Sequence, residues 1–445
     1  MSSTSSRLDF NRVAPIFLLT LVDVLGLTLI LPLLHLYAIS FGASPLEIGV
    51  VVAAFPLSQL IGLPVMGALS DRYGRKPLLL ISQFATCIGF LMLGMANSLA
   101  LVILSRLVDG IFGANLSTAQ AALSDVTDDS TRAQGLGLIG AAFGLGFIFG
   151  PVMAIGILEF SDNLAMPAFV AAGYSLLSIG LTLFMFRETL PPEKRQQQSS
   201  HRNPFSALDL LRQPQISALL LVMFAQQVVF FGFESLLGLF TLSRLGLLGQ
   251  GNALIFSLVG AVLVTVQARY IGRWSRRYGE VRLMYASLAL LAVGLLLFAF
   301  TPEQPHPLYV QRVAENHLRE QAPSGAESII GDISTPLPPD TNRGFGGLLW
   351  VIVAILPISV GAGLIRPSIN TLLTRQVSAQ TYGRVLGLSA SVVSLANGFA
   401  PLLGGGLFQQ YGETAPFLLG GLVMAALVVA SLFVVKPTGS TARAG

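Results

Sequence analysis

Long apolar stretches dominate this sequence and recur twelve times along its 445 residues. Each is about 20 residues long or longer, which is the length that an α-helix needs to cross the roughly 30 Å hydrocarbon core of a bilayer. Because 53% of the residues are hydrophobic and 11% are charged, too little polar surface remains to cover a soluble globule. The sequence therefore predicts an all-α membrane protein with twelve transmembrane helices, called spans 1 to 12, at 13–38, 46–69, 77–97, 99–124, 133–158, 166–187, 216–243, 249–274, 281–300, 348–373, 382–409 and 413–436.

These stretches are predicted to be helices that remain in the chain. Strands of a membrane β-barrel alternate apolar and polar residues over about ten positions, whereas a segment such as 283–300 is apolar nearly all round. The first apolar stretch lacks a small-residue cleavage site, so it is interpreted as a retained helix and not as a removed signal.

Positive charges predict the orientation. Twenty of the 26 lysine and arginine residues fall on one side of the predicted spans, and such residues are held on the cytoplasmic side during insertion. We therefore expect a multi-pass protein of the cell inner membrane with both termini cytoplasmic. The net charge of +4 requires no nucleic-acid partner, since topology and anionic lipid account for it.

A polar connector divides the spans into two groups of six. Residues 188–215 are rich in proline, glutamine, serine and charge, and they are interpreted as a cytoplasmic linker. The predicted parts are an N-terminal half (1–187), a C-terminal half (216–436) and a cytoplasmic tail (437–445). An internal repeat supports the two halves. Gly67, Ser70, Arg72, Tyr73 and Gly74 recur 205 residues later, and Gly113, Leu123, Gly137, Leu138 and Pro151 recur 250 residues later.

The change of offset indicates an extracytoplasmic insertion in the second half. Residues 302–347 carry seven prolines and account for the extra length. Their middle part, 308–321, could form a short surface helix, and a passive loop without function is the alternative.

The loop between spans 2 and 3 reads Gly67-Ala68-Leu69-Ser70-Asp71-Arg72-Tyr73-Gly74-Arg75-Lys76. It is similar to the signature loop of the major facilitator superfamily, Gly-x-Leu-x-Asp-Arg-x-Gly-Arg-Arg/Lys, and two similar six-helix halves are the plan of that superfamily. From the residues alone, Gly67 is expected to permit close helix approach and Gly74 to permit the turn.

The resemblance implies a cytoplasmic latch at this loop. Asp71 and Arg75 would pair, and Asp125 at the end of span 4 would complete the group, with Arg72 part of the same motif. In the second copy of the loop Arg276 replaces the acid, so the latch is expected in the N-terminal half only. The alternative is that the basic residues are topology anchors.

Asp23 lies well inside span 1, where an ionisable side chain is costly unless it faces water or a partner. The stretch 21–32 resembles the first helix of the tetracycline/proton antiporters and related drug-efflux members of the superfamily, which implies a role for Asp23 in transport. The alternative is an acid that merely caps or pairs.

Span 4 carries Arg106 and Asp109 one turn apart. Residues three apart share a helix face, so the two can pair with each other or with Asp23. The arginine matches an element of the family that is implied in proton coupling, whereas Asp109 departs from the family pattern. An ion pair that only masks charge is the alternative.

Span 7 contains Glu234 among phenylalanines, with Gln226 and Gln227 two turns earlier. Aromatic rings around a carboxylate suit a hydrophobic cation, although phenylalanine is also ordinary filler. Arg366 in span 10 could take part in function or only reach out to the membrane surface.

Span 5 carries small residues at four-residue spacing and an internal proline, Pro151. Gly146 and Gly150 would let neighbouring helices approach, and Pro151 would bend the helix into a hinge. The segment resembles the antiporter signature Gly-x-x-x-Gly-Pro-x-x-Gly-Gly in part, since Ala154-Ile155 replaces its last pair.

These features predict a secondary active transporter that works by alternating access, most simply a proton-coupled antiporter that exports small amphipathic molecules. Burial favours the neutral form of a carboxyl group in general, so Asp23 or Glu234 could carry the proton. A proton-coupled importer or lipid exporter of the same fold, and a non-transporting receptor or scaffold, are the alternatives.

Enzymatic and ATP-driven activities are not expected. The sequence lacks a Gly-x-x-x-x-Gly-Lys-Ser/Thr loop, and its four histidines and one cysteine form neither a metal-ligand pattern nor a nucleophilic triad. We expect no metal or cofactor. The predicted partners are a small-molecule substrate, protons and the lipid bilayer, with a monomer as the default.

Overall fold

The computed structural model describes residues 10–127, 132–161, 163–191, 209–320, 337–377 and 381–434, and every regular element in these ranges is a helix. Eleven of the described helices are long and apolar enough to cross a membrane, and a shorter apolar helix, Gly249–Thr265, begins the remaining span. The all-α membrane architecture predicted from the sequence is confirmed. Most of the predicted linker (192–208) and the whole tail lie outside the described residues.

The spans have the following bounds. In the N-terminal half they are Phe10–Ile39, Pro45–Tyr73, Arg75–Gly94, Leu99–Val126, Arg132–Phe160 and Ala165–Phe184. In the C-terminal half they are Pro214–Leu245, 249–278, Glu280–Ala299, Gly346–Arg375, Tyr382–Tyr411 and Ala415–Val434.

Three spans are interrupted within the residues that the structure describes. Span 1 tightens into a 3-10 turn at Leu31–Leu33, where Pro32 lacks the N–H that an α-helix needs. Span 4 breaks between Phe112 and Asn115, and the Ser82 hydroxyl satisfies the break by donating to the Phe112 carbonyl and accepting from the Ala114 amide at 2.8 Å. Span 8 widens into a π-helical segment at Val266–Tyr270.

The linker end of the bundle is the end that adjoins residues 188–215, and Gly74 and Gly279 lie there. The insertion end is the end that adjoins residues 302–347, and Gly42 and Gly246 lie there. All four glycines have positive φ angles, from 68° to 110°, which a residue with a Cβ rarely adopts.

Span 5 packs closely on span 1, as its glycines predict. Thr28 donates a hydrogen bond to the Gly146 carbonyl at 2.8 Å, and a Cβ at Gly150 would lie 2.8 Å from the carbonyl carbon of Thr28. Pro151 lies inside the continuous helix Arg132–Phe160. Its predicted role as a hinge remains a prediction.

The halves meet through spans 2 and 11 and through spans 5 and 8. The Leu46 amide donates to Gln409 Oε1 at 3.3 Å near the insertion end, and a Cβ at Gly49 would lie 3.0 Å from the carbonyl carbon of Pro401. A Cβ at Gly260 would lie 2.8 Å from the carbonyl oxygen of Phe147. Glycines therefore bring the backbones of the two halves together.

The insertion contains the short helix predicted within 308–321, observed at Gln311–Glu320. The segment before it docks on the end of span 7, since the His306 amide donates to the Leu245 carbonyl at 3.1 Å. Within the insertion, the Tyr309 hydroxyl donates to the Pro338 carbonyl at 3.0 Å. Residues 321–336 lie outside the described residues.

Candidate functional site

Arg106 and Asp109 form a buried ion pair inside the N-terminal half. Their closest atoms, Arg106 Nη1 and Asp109 Oδ2, are 3.3 Å apart, and each residue is 3% exposed. The Arg106 guanidinium also lies over the ring of Phe90, 5.4 Å from its centroid. Of the two pairings offered by the sequence, the one within span 4 is observed, and the described residues show no ion pair between Arg106 and Asp23.

Asp23 lies beside this pair on span 1, facing polar groups of spans 3 and 6. Its carboxyl group is within reach of Gln83 and Ser178, and Gln83 Nε2 donates to Ser178 Oγ at 2.8 Å. One carboxyl oxygen, Oδ2, is buried without a hydrogen-bond partner among the described residues. Buried polar oxygens are usually paired, so this atom marks an acceptor position that a proton or a ligand group could use.

Glu234 lies elsewhere, in a pocket between the two halves. The pocket is small and is lined by spans 1, 2, 7 and 8, with Glu234 and Ser235 on one side and His35 on the other. The structure therefore separates the predicted carboxylates. Asp23 and Asp109 lie inside the N-terminal half, and Glu234 lies where the halves meet.

A polar contact across the halves, which the sequence analysis missed, involves His35 at the edge of this pocket. His35 of span 1 lies 3.1 Å from the side-chain nitrogen of Asn252 in span 8, and Asn252 Oδ1 accepts a hydrogen bond from Thr241 in span 7. His35 and Asn252 are 4% and 0% exposed. Histidine and asparagine within apolar helices are uncommon and mark interhelical contacts. The presence of these two residue types in spans 1 and 8 could therefore have indicated the contact from the sequence.

The two glutamines of span 7 differ in their surroundings. Gln227 Nε2 donates to Asn397 Oδ1 of span 11 at 2.8 Å, whereas Gln226 is 2% exposed. The phenylalanines of span 7 also lie in different surroundings. Phe231 lines the Glu234 pocket, and Phe233 packs edge-on against Phe298 in the core of the C-terminal half, with ring centroids 5.2 Å apart.

Arg75 joins two acids at the linker end. Arg75 Nη1 lies 2.7 Å from Asp71 Oδ1, and Arg75 Nε lies 2.9 Å from Asp125 Oδ2. Arg75 is 5% exposed, and Gly74, with a φ of 110°, supplies the turn before it as predicted. The backbone amide of Arg75 also donates to Glu188 at 2.9 Å. The geometry matches the latch that the resemblance implied.

Two residues of the motif are placed differently from the expectation. A Cβ at Gly67 would meet no described atom within 4 Å, so the prediction that Gly67 permits close helix approach is wrong for this conformation. Arg72 is exposed and lies over the Tyr73 ring, 5.3 Å from its centroid.

The C-terminal half carries a second ion pair at the linker end, which corrects the expectation of a latch in the N-terminal half only. Arg375 Nη2 lies 2.8 Å from Glu280 Oε1, and Ser275 donates to the same oxygen at 3.0 Å. Glu280 is 205 residues after Arg75, and Arg375 is 250 residues after Asp125. The repeat therefore preserves the pair and exchanges its charges.

Twelve apolar spans in two repeated halves, with buried charges inside and a mainly apolar pocket around Glu234 between the halves, define a multi-pass membrane transporter. The model of the Major Facilitator Superfamily matches residues 16–310, which is more than half of the chain. The chain belongs to this superfamily.

Relatives match over almost the whole length. Multidrug resistance protein 2 of Bacillus subtilis is 27% identical over 424 residues, covering 94% of both chains. Tetracycline resistance protein, class H, of Pasteurella multocida is 24% identical over 437 residues, covering 94% of this chain and 95% of the relative. The solved structure of the nucleoside transporter NupG superimposes with a TM-score of 0.70 at 14% identity, covering 96% of this chain and 100% of NupG. This likeness supports the fold.

Proposed function

We propose that this transporter exports small amphipathic molecules in exchange for protons, by alternating access. The observation that carries the proposal is the similarity to drug-resistance proteins of two kinds, multidrug and tetracycline, over 94% of the chain. The carboxylates of Asp23 and Glu234, which lie within spans 1 and 7 and are partly buried, supply the chemistry that proton coupling needs.

The two halves, 1–187 and 216–436, act as the moving bodies, with the linker end and both termini in the cytoplasm. The contacts of Leu46 with Gln409 and of His35 with Asn252 hold the halves together near the insertion end. These contacts break when the transporter opens outward, and the Glu234 pocket between the halves then changes its access.

The proton gradient is sufficient for export. One pH unit is worth about 1.4 kcal/mol per proton, and 100 mV is worth about 2.3 kcal/mol per charge. Together they support a solute gradient of roughly 500-fold per proton, because about 1.4 kcal/mol corresponds to a factor of ten.

The proposal is tested by proton movement in proteoliposomes that enclose a pH indicator. Adding an amphipathic xanthene dye with a free carboxylate to the wild type should trigger proton release under an imposed pH gradient, and Asp23→Asn and Glu234→Gln should abolish or strongly reduce it. The exposed Glu303 at the insertion end supplies the matched control, since Glu303→Gln removes a carboxylate away from both groups. Dye transport without proton movement in the wild type would contradict the antiport proposal.

A further inference from the structure

Arg366 is a cation deep in span 10 that makes no hydrogen bond, ion pair or ring contact with any described residue. It lies nine residues before Arg375, the last residue of the helix, and so about 14 Å from the linker end at 1.5 Å per residue. Its side chain is exposed. A charge at such a depth needs water or an oppositely charged group.

The helix face on which Arg366 lies looks into the bundle. Gly363, three residues earlier, approaches Val266 of span 8, to whose Cγ1 a Cβ at this glycine would be 3.1 Å. Asn370, four residues later, accepts a hydrogen bond from Ser389 of span 11 at 2.8 Å. Residues three and four apart share a helix face, so Arg366 lies on the face of span 10 that contacts spans 8 and 11, which are two of the spans that contact the N-terminal half.

The lipid-facing side of span 10 is occupied by apolar residues. Leu349 and Val353 of the same helix are 60% and 56% exposed, and they lie roughly 100° to 140° around the helix from Arg366 at 100° per residue. Arg366 is therefore displaced from the lipid-facing side, where a long basic side chain would reach for the membrane surface.

Span 8, which packs against this part of span 10, has an irregular segment. Val266, which approaches Gly363, is the first residue of the π-helical segment Val266–Tyr270. Single π-helical turns within α-helices occur frequently at functional sites. Ser359, seven residues before Arg366 and on the same face, adds a hydroxyl that is buried without a partner among the described residues.

No described carboxylate forms an ion pair with Arg366. Asp109 pairs with Arg106 inside the N-terminal half, and the pocket around Glu234 is lined by spans 1, 2, 7 and 8. The cation is thus available to a ligand.

We propose that Arg366, with Asn370 and Ser389 beside it and the π-helical segment of span 8 opposite it, forms a subsite for the anionic group of an amphipathic substrate. The substrate class is then a hydrophobic molecule with a carboxylate or similar oxyanion. This inference rests on the proposed function and specifies its substrate.

A matched pair of probes tests the subsite by binding. One is a fluorescent xanthene dye with a free benzoate group, and the other is the methyl ester of the same dye. In detergent, without any proton gradient, the wild type should bind the free acid about 10- to 100-fold more tightly than the ester, as expected for a charged hydrogen bond. Arg366→Gln should remove this preference, and Arg366→Lys should retain part of it.

The control is Arg212→Gln, which removes the same charge from an exposed position near the linker end and should keep the wild-type preference. A wild type that binds both dyes equally, or neither, contradicts the subsite, as does an Arg366→Gln variant that still prefers the acid. Equal weakening of both dyes in that variant also contradicts it, because it indicates a structural role. The result is independent of proton release, so the subsite and the antiport proposal can fail separately.

Discussion

Glu280 accepts a charged hydrogen bond from Arg375 at 2.8 Å, at the two places that Arg75 and Asp125 occupy in the first half. The serine one turn before each pair is preserved too. Ser70 accepts from Arg75 at 3.0 Å, and Ser275 donates to Glu280 at 3.0 Å. A hydroxyl can serve either charge because it both donates and accepts. The duplicated halves therefore keep one geometry with opposite signs.

Exchange of the two charges tests this second pair. Glu280→Arg and Arg375→Glu should each destabilise the C-terminal half, and the double variant should recover most of the loss. The Arg375 side chain is 58% exposed, so the coupling should be only about 0.5–1 kcal/mol. A double-mutant cycle from unfolding in detergent measures it. If the double variant loses as much free energy of unfolding as the two single variants together, the pair contributes nothing.

Arg75→Gln should be far more damaging than Arg72→Gln. The first change leaves Asp71 and Asp125 without their shared cation, and breaking a buried ion pair costs about 3 kcal/mol or more. The second removes an exposed arginine next to it, and surface changes stay within about 0.5 kcal/mol. Thermal unfolding of the two variants makes the comparison. Similar losses would contradict the arrangement in which Arg75 is the central cation.

Span 5 offers a matched pair of glycines. A Cβ at Gly150 would lie 2.8 Å from backbone and side-chain carbons of Thr28, whereas a Cβ at Gly156 meets no described atom within 4 Å. Gly150→Ala should therefore destabilise the protein by about 1–3 kcal/mol through overpacking, and Gly156→Ala should be neutral or slightly stabilising. Thermal unfolding distinguishes the two. An unaffected Gly150→Ala variant would mean that spans 1 and 5 are less tightly packed.

The spans could be predicted because a bilayer imposes one length and one composition on every crossing helix. The break in span 4 could not be predicted, since it depends on Ser82 of span 3, and hydropathy does not report such a tertiary partner. The role expected of Gly67 failed for the same reason, because the space beside a glycine is set by its neighbours.

The site was partly foreseeable. The Arg75 group followed from its motif, and the Arg106–Asp109 pair followed from helical spacing, but spacing alone left Asp23 open as a rival partner. The Glu280–Arg375 pair was readable from the two repeat offsets. It was missed because the second copy was compared for the same charges and not for complementary ones.

The insertion should respond to pH through His306. Burial lowers the pKa of His306 below its ordinary value, although a hydrogen bond with the Gly246 backbone opposes this shift, and the positive charge of Arg343 adds a smaller lowering. The docked segment therefore favours the neutral imidazole. The stability of the docked segment is greatest above pH about 6.5 and is lost as the pH falls through the lowered pKa of His306. Hydrogen exchange of residues 303–310, corrected for intrinsic rates, should increase on acidification. His306→Gln should remove this dependence, and an unchanged profile in that variant would assign the effect to another group.

A reversible cross-link between the halves tests alternating access most directly. In a Cys87→Ala background, Leu46→Cys and Gln409→Cys place thiols at the insertion end, where the Leu46 amide meets the Gln409 side chain at 3.3 Å. A short reducible thiol cross-linker should lock spans 2 and 11 together and abolish dye-driven proton release, reduction should restore it, and the single-cysteine variants should be unaffected. A fully cross-linked protein that still exchanges dye and protons at the wild-type rate would contradict a mechanism in which the halves separate at this end.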